Sequence, residues 1–179
     1  PDISIQDASL LSTRQQQLQI ADWNSTDFEY PRDSTVHAEI QKQAQVTPNE
    51  IAVIFGDKEL TYGALNAQSK QVARYLQKQG VSPGDLVGIC VERSEQMLIT
   101  LLGIWKAGAG YVPLDPAYPD DRLGYMCEQS KLTLLVSQSS LSDKVAAFEK
   151  PCIMIDTDRD QIQSQATDPI ELPETAKER

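Results

Sequence analysis

The sequence predicts an α/β fold, a mostly parallel sheet flanked by helices with an early β-hairpin, and three observations carry that expectation. Leu86 to Val91 is a continuous apolar run, the pattern of a strand buried on both faces of a parallel sheet. Around and after it strand and helix patterns alternate, which predicts parallel strands joined by right-handed crossovers. The stretch Lys106 to Pro119, KAGAGYVPLDPAYP, ends a helix, opens a strand and then stops pairing. Gly108 suits the left-handed position past a helix end, Tyr111 and Val112 favour extended backbone, and Pro113, Pro116 and Pro119 each remove a ladder donor.

Taken in order, residues 1–33 mix polar residues with the apolar anchors Leu10, Leu11, Leu18, Ile20, Trp23, Phe28 and Tyr30, ending at Pro31-Arg32-Asp33. They read as a linker that docks, with a short helix through Ser12 to Ile20 and with Trp23 and Tyr30 as aromatic plugs; simple packing is the alternative. Ser34 or Thr35 can cap a helix whose apolar positions Val36, Ile40 and Ala44 recur every four residues until Thr47-Pro48. Ile51 to Phe55, the turn Gly56-Asp57 and the return Lys58 to Leu60 predict a hairpin. Thr61 caps a helix that lines up Tyr62, Leu65, Ser69, Val72, Ala73 and Leu76 and closes at Gly80.

Pro83-Gly84-Asp85 turns into the apolar strand, and Ser94 caps a helix that Met97, Leu98, Leu101, Leu102, Ile104 and Trp105 make apolar over much of its circumference. After the junction, Asp120 and Asp121 favour the first turn of a helix carrying Leu123, Met126 and Cys127. Thr133 to Val136 reads as a strand, Leu141 to Glu149 as a helix and Cys152 to Ile155 as a further strand. Beyond Asp156 the pattern dissolves, and no repeat of fixed period is present.

At 179 residues the chain suits one domain or part of a larger one and buries roughly 70% of its unfolded surface on folding. With 16 basic against 26 acidic residues and a net charge of −10, it cannot present a broad positive field to nucleic acid or acidic lipid. Cys90, Cys127 and Cys152 lie apart in apolar runs without a C-x-x-C pair, so they read as buried free thiols. That favours a reducing compartment, and with no signal peptide or apolar run of about 18 residues the expected location is cytoplasmic. Asn24-Ser25-Thr26 matches a glycosylation acceptor without consequence there. Pro1-Asp2 in place of an initiator Met, and the polar run Glu171 to Arg179, give the expectation of a segment of something longer.

Several chemistries lack support in the residues. There is no G-x-x-x-x-G-K-[ST] loop, and Pro113 occupies the third glycine position that Gly108 and Gly110 would need for dinucleotide binding. His37 is the single histidine and reads as a surface or packing residue; no nucleophile elbow accompanies it. The acidic residues never come with histidine or cysteine at metal-ligand spacing.

Two stretches carry a specific resemblance. Leu60-Thr61-Tyr62-Gly63-Ala64-Leu65 resembles the first core motif of the amino-acid adenylation domains of nonribosomal peptide synthetases, and Leu102 through Asp115 resembles the second. The second match extends through Tyr118-Pro119, Arg122-Leu123 and Tyr125-Met126. Trp23-Asn24, Tyr30-Pro31-Arg32 and Thr47-Pro48 are similar to the linker that follows a condensation domain. The resemblance covers nearly the whole chain and thins after about Asp158. Ala64 stands where the family usually has Glu, which removes the return bond of a capping box, a local loss on the order of 1 kcal/mol or less. Gly110 replaces a frequent Ala.

The resemblance implies the first part of the large N-terminal subdomain of an adenylate-forming fold, with residues 1–33 as interdomain linker and 34–179 as an incomplete portion of that subdomain. Family members join an amino-acid carboxylate to the α-phosphate of ATP with Mg²⁺, then pass the aminoacyl group to a carrier protein's phosphopantetheine thiol. The phosphate loop, the later acidic and Arg motifs and the C-terminal Lys that do this follow the second motif. No catalytic, cofactor-binding or metal-ligating residue is therefore assigned here, and the isolated chain is expected to be inactive. Its implied partners are the rest of the adenylation domain, the carrier protein, a condensation domain and the amino acid. Lys106 is a tempting ATP ligand, but in the last turn of a helix its charge complements the dipole, and that structural role is preferred. An acyl- or aryl-acid ligase such as a CoA ligase is the alternative within the superfamily, and a non-catalytic docking module is the alternative from another class.

Overall fold

A computed structural model describes residues 11–170. Leu10 and the run Glu171 to Arg179, both invoked above, lie outside the described residues. The chain divides into two units after Ser34.

In the first unit, Ser12 opens helix α1 (Thr13–Ile20) with a capping box: its Oγ accepts from the Gln15 N–H, and the Gln15 Oε1 accepts from the Ser12 N–H at 2.9 Å. The turn Asp22–Asn24 follows, and the Asn24 side-chain amide donates to the carbonyls of Gln19 and Ile20, orphaned at the helix end. Trp23, Phe28 and Tyr30 are exposed, and the Arg32 guanidinium sits 5.5 Å from the centre of the Tyr30 ring.

The second unit opens with α2 (Val36–Val46), for which Thr35 supplies the cap by accepting from the Ala38 N–H. Strands β1 (Ile51–Phe55) and β2 (Lys58–Thr61) form the expected antiparallel hairpin. Gly56 takes φ +59° in its turn, a value that glycine reaches without strain. Helix α3 (Tyr62–Lys78) starts on Thr61, whose Oγ1 accepts from the Ala64 N–H at 3.2 Å. Then come β3 (Leu86–Ile89), α4 (Glu95–Lys106), β4 (Gly110–Pro113), α5 (Asp120–Gln129), β5 (Leu134–Ser137), α6 (Ser142–Ala146), β6 (Cys152–Met154) and α7 (Arg159–Gln163).

The last four strands form one parallel sheet in the order β4-β3-β5-β6. The chain steps outward from β3 to β4, then returns past β3 to β5 and on to β6. Right-handed crossovers that run in opposite directions must lie on opposite faces. Side-chain alternation agrees: Val87, Ile89, Leu134, Val136 and Ile153 pack in one core with Leu76 of α3 and Ile99 of α4. Cys90 and Leu135 pack in the other with Leu123 and Cys127 of α5 and Val145 of α6. Each fully buried leucine or isoleucine contributes roughly 1.5–3 kcal/mol, so these two cores, one on each face of the sheet, dominate the stability of the unit.

Helices α3 and α4 meet closely at Gly103, where an added Cβ would lie 2.5 Å from Val72 Cγ1. Gly108 takes φ +86° after α4, and the Gly108 N–H bonds the Trp105 carbonyl, as the junction required. Three details differ from the sequence reading. Ser94 stands at the N-cap of α4, but its Oγ donates to the Glu92 carbonyl and caps nothing. The helix expected from Leu141 to Glu149 shortens to a turn Ser139–Leu141 plus α6, which ends at Ala146, and Glu149 beyond it takes φ +49°. Helix α7 lies where the periodicity had dissolved, one turn pinned by Ile162 in the core. Among the described residues no helix is long and apolar enough to cross a membrane.

Candidate functional site

In open α/β sheets ligands gather beyond the carboxyl ends of the strands, where neighbouring strands send their connections in opposite directions. Here that point lies between β3, which leads to the β4 side, and β5, which leads to the β6 side. A crevice of about 640 Å³ opens there, lined by Lys58, Gln68, Glu95, Gln138, Asp156 and Arg159 among others.

Lys58, Glu95, Gln138 and Asp156 are fixed by their neighbours. The Gln138 side chain bridges the two diverging connections: its Oε1 accepts from the Glu92 N–H at 3.1 Å, and its Nε2 donates to Glu92 Oε2 at 3.1 Å. Behind it the Ser137 hydroxyl, fully buried, donates to the Cys90 carbonyl at 2.8 Å and ties β5 to β3. Asp156 accepts from the Ser139 N–H at 2.9 Å and also from the Ser139 hydroxyl and the Thr157 N–H. Burial works to raise its carboxyl, but the Ser139 bonds outweigh that and hold it below the usual range.

Glu95 sits in the first turn of α4, where free N–H groups would otherwise attract an anion. Its carboxylate accepts from Lys58 Nζ at 2.6 Å, and that bond, ahead of the helix N–H groups, lowers its pKa against burial. Arg159 contributes the one lining cation without a carboxylate partner among the described residues. A second, apolar groove of about 390 Å³ runs beside the proline-rich junction, lined by Val91, Met97, Tyr111, Pro113 and Leu114 among others.

The residues weighed from sequence lie elsewhere. His37 is half-buried with its ring 6.5 Å from that of Trp105, a packing role. Cys90 and Cys127 are buried free thiols, as expected; Cys152 is only partly buried. Burial pushes Cys90 and Cys152 up to about 11, so none is poised as a nucleophile. Lys106 lies in the last turn of α4, as expected, and its structural role goes beyond the helix dipole. It is 5% exposed, and its Nζ donates to Asn66 Oδ1 at 2.6 Å and Ser69 Oγ at 2.7 Å, bolting α4 to α3. The crevice residues Lys58, Glu95, Gln138, Asp156 and Arg159 were not singled out from sequence. For Glu95, Gln138, Asp156 and Arg159 the signal was positional, polar residues beyond the carboxyl ends of β3, β5 and β6; Lys58 instead opens β2.

A parallel sheet wound in both directions, preceded by a hairpin and carrying a polar crevice at its switch point, defines a doubly wound α/β architecture. The chain belongs to the AMP-binding enzyme family, whose model matches residues 40–178. Its similarity within that family is to peptide synthetases. It is 42% identical over 176 residues to a linear gramicidin synthase polypeptide of Brevibacillus parabrevis, covering 98% of this chain and 2% of that protein. It is 43% identical over 145 residues to a mycosubtilin synthase polypeptide of Bacillus subtilis, covering 81% of this chain and 6% of that protein. The AMPPNP-bound form of the nonribosomal peptide synthetase FmoA3 superposes with a TM-score of 0.73 at 26% identity, over 88% of this chain and 17% of that one. The chain thus spans only a few per cent of the length of these curated relatives.

The family implies ATP, and the crevice does not fit its polyphosphate. The Lys58 ammonium is bound to Glu95, Glu95 itself covers the N-terminus of α4, and Glu59 and Asp156 add two further carboxylates. Three carboxylates, set against one ammonium already paired and one guanidinium, would repel a polyanion.

Proposed function

We propose that this chain is the opening part of an adenylation domain that activates an amino acid. In the complete domain the amino-acid carboxylate attacks the α-phosphate of ATP and pyrophosphate leaves. The carrier protein's phosphopantetheine thiol then attacks the aminoacyl carbonyl and AMP leaves. Residues 34–179 supply the early sheet and helices of the large subdomain, and residues 1–33 form the linker from a condensation domain. The exposed Trp23, Phe28 and Tyr30 support docking by that linker. ATP and Mg²⁺ are held by residues outside this chain, and none of its own residues reacts. The three free thiols suit a reducing compartment, the cytoplasm.

One observation carries this reading: the family match and the synthetase identity run through nearly the whole chain, yet the crevice has its lysine neutralised and its helix N-terminus filled. ATP–pyrophosphate exchange with a panel of amino acids tests it. The chain alone should give no exchange, and the same chain continued through a complete adenylation domain should give exchange with one or a few amino acids. Exchange by the chain alone overturns the non-catalytic role. Exchange by the complete protein only with acyl or aryl acids overturns the substrate class.

A further inference from the structure

We propose that the open pocket lined by α2, α3 and α4 is a binding site for a small multivalent oxyanion of the phosphate class. The pocket measures about 230 Å³ and lies apart from the switch-point crevice. Lys42 of α2, Lys70 of α3 and Lys106 of α4 all line it, with His37, Gln41 and Ile170. No carboxylate lines it, in a chain whose net charge is −10. Neither Lys42 nor Lys70 has an ion-pair partner among the described residues.

Lys106 makes the cluster more than a set of surface lysines. It is 5% exposed, and the groups that accept from its ammonium, Asn66 and Ser69, are neutral. A buried charge is ordinarily paired with an opposite one, and here the local field is positive instead. Burial and the charge of Lys70 push Lys106 down to about 8, and burial and Lys106 push His37 down as well. An anion in the pocket would reverse both Coulombic penalties at once. Lys106 spends its three N–H groups on Asn66 and Ser69 and contributes charge, while the ammonium groups of Lys42 and Lys70, from two helices, and the Gln41 amide supply donors for an ion with several equivalent oxygens.

The full chain is titrated with inorganic phosphate against chloride at constant ionic strength, with lysine side-chain NMR shifts as readout. Saturable shifts are expected for the lysines of the pocket. Lys70→Gln should weaken binding roughly tenfold, the scale of one charge-assisted contact. Lys42→Gln, at an exposed position that folding does not need, should weaken it in the same direction. Lys78→Gln, also on α3 but outside the pocket, should leave it unchanged. Linear, unsaturable shifts overturn the proposal, as does equal weakening by Lys78→Gln.

Discussion

Alanine at Gly103 should loosen the contact between α3 and α4, and the geometry sets both the sign and the size. A Cβ there would lie 2.5 Å from Val72 Cγ1, 2.7 Å from Val72 Cβ and 3.1 Å from the Ser69 carbonyl oxygen. Rotation of the valine relieves the first contact. The second and third involve a branched Cβ and the α3 backbone, so the helices themselves must separate. Overpacking of this kind costs about 1–3 kcal/mol, set against a gain of about 1 kcal/mol for alanine over glycine within a helix. The cost wins, because separation also strains the Lys106 bonds to Asn66 and Ser69 across the same interface. Gly103→Ala should therefore destabilise by about 1–2 kcal/mol. Gly124→Ala in α5, with nothing within 4 Å of its new Cβ, should stabilise by up to about 1 kcal/mol. Urea unfolding followed by circular dichroism reads both as midpoint shifts at constant slope. A Gly103→Ala chain as stable as the parent would refute the close-contact reasoning.

Two further outcomes follow from single groups. Ala64→Glu places a carboxylate three residues after the Thr61 cap, so it should complete a capping box and raise the urea midpoint by the equivalent of about 0.5–1 kcal/mol; an unchanged or lower midpoint counts against it. Lys106, held at about 8 against an ordinary 10.5, binds its proton more weakly folded than unfolded, so its contribution to stability rises as pH climbs from 8 to 10.5. In phosphate-free buffer the stability of the parent relative to Lys106→Met should grow from about pH 7 to about pH 10 by ~2 kcal/mol or less, discounted for water in the adjoining pocket. A pH-independent difference would mean that Lys106 titrates as it does in water.

Much of this fold was legible because its determinants are local. The apolar run at Leu86, the face of Leu65, Val72 and Leu76, and the Gly108 turn each state their element within a few residues. Helix α7 was hidden because one turn carries no periodicity and owes its place to Ile162 meeting a distant core. The place of Lys106 in the last turn of α4 was legible, but its bonds to Asn66 and Ser69 were not, since those partners lie on another helix and no spacing rule links them. The crevice escaped for the same reason: Lys58, Glu95, Gln138 and Asp156 come from four separate segments, and strand order alone brings them together. Family membership was readable from two motifs, because the hairpin exit and the junction are continuous in sequence.

Among the described residues strand β4 lies at the margin of the sheet, and its proline governs what can join it there. The N–H groups of Gly110 and Leu114 turn inward to the carbonyls of Asp85 and Ile89, so alternation turns positions 111 and 113 outward. Position 113 is proline, which leaves Tyr111 as the one outward donor in the strand. A free margin of parallel sheet is ordinarily a template for adding further chains. This one offers so short a ladder that registration with a foreign strand ends almost as soon as it begins. The junction that marks the family thus also limits how many main-chain donors this margin can offer to another strand.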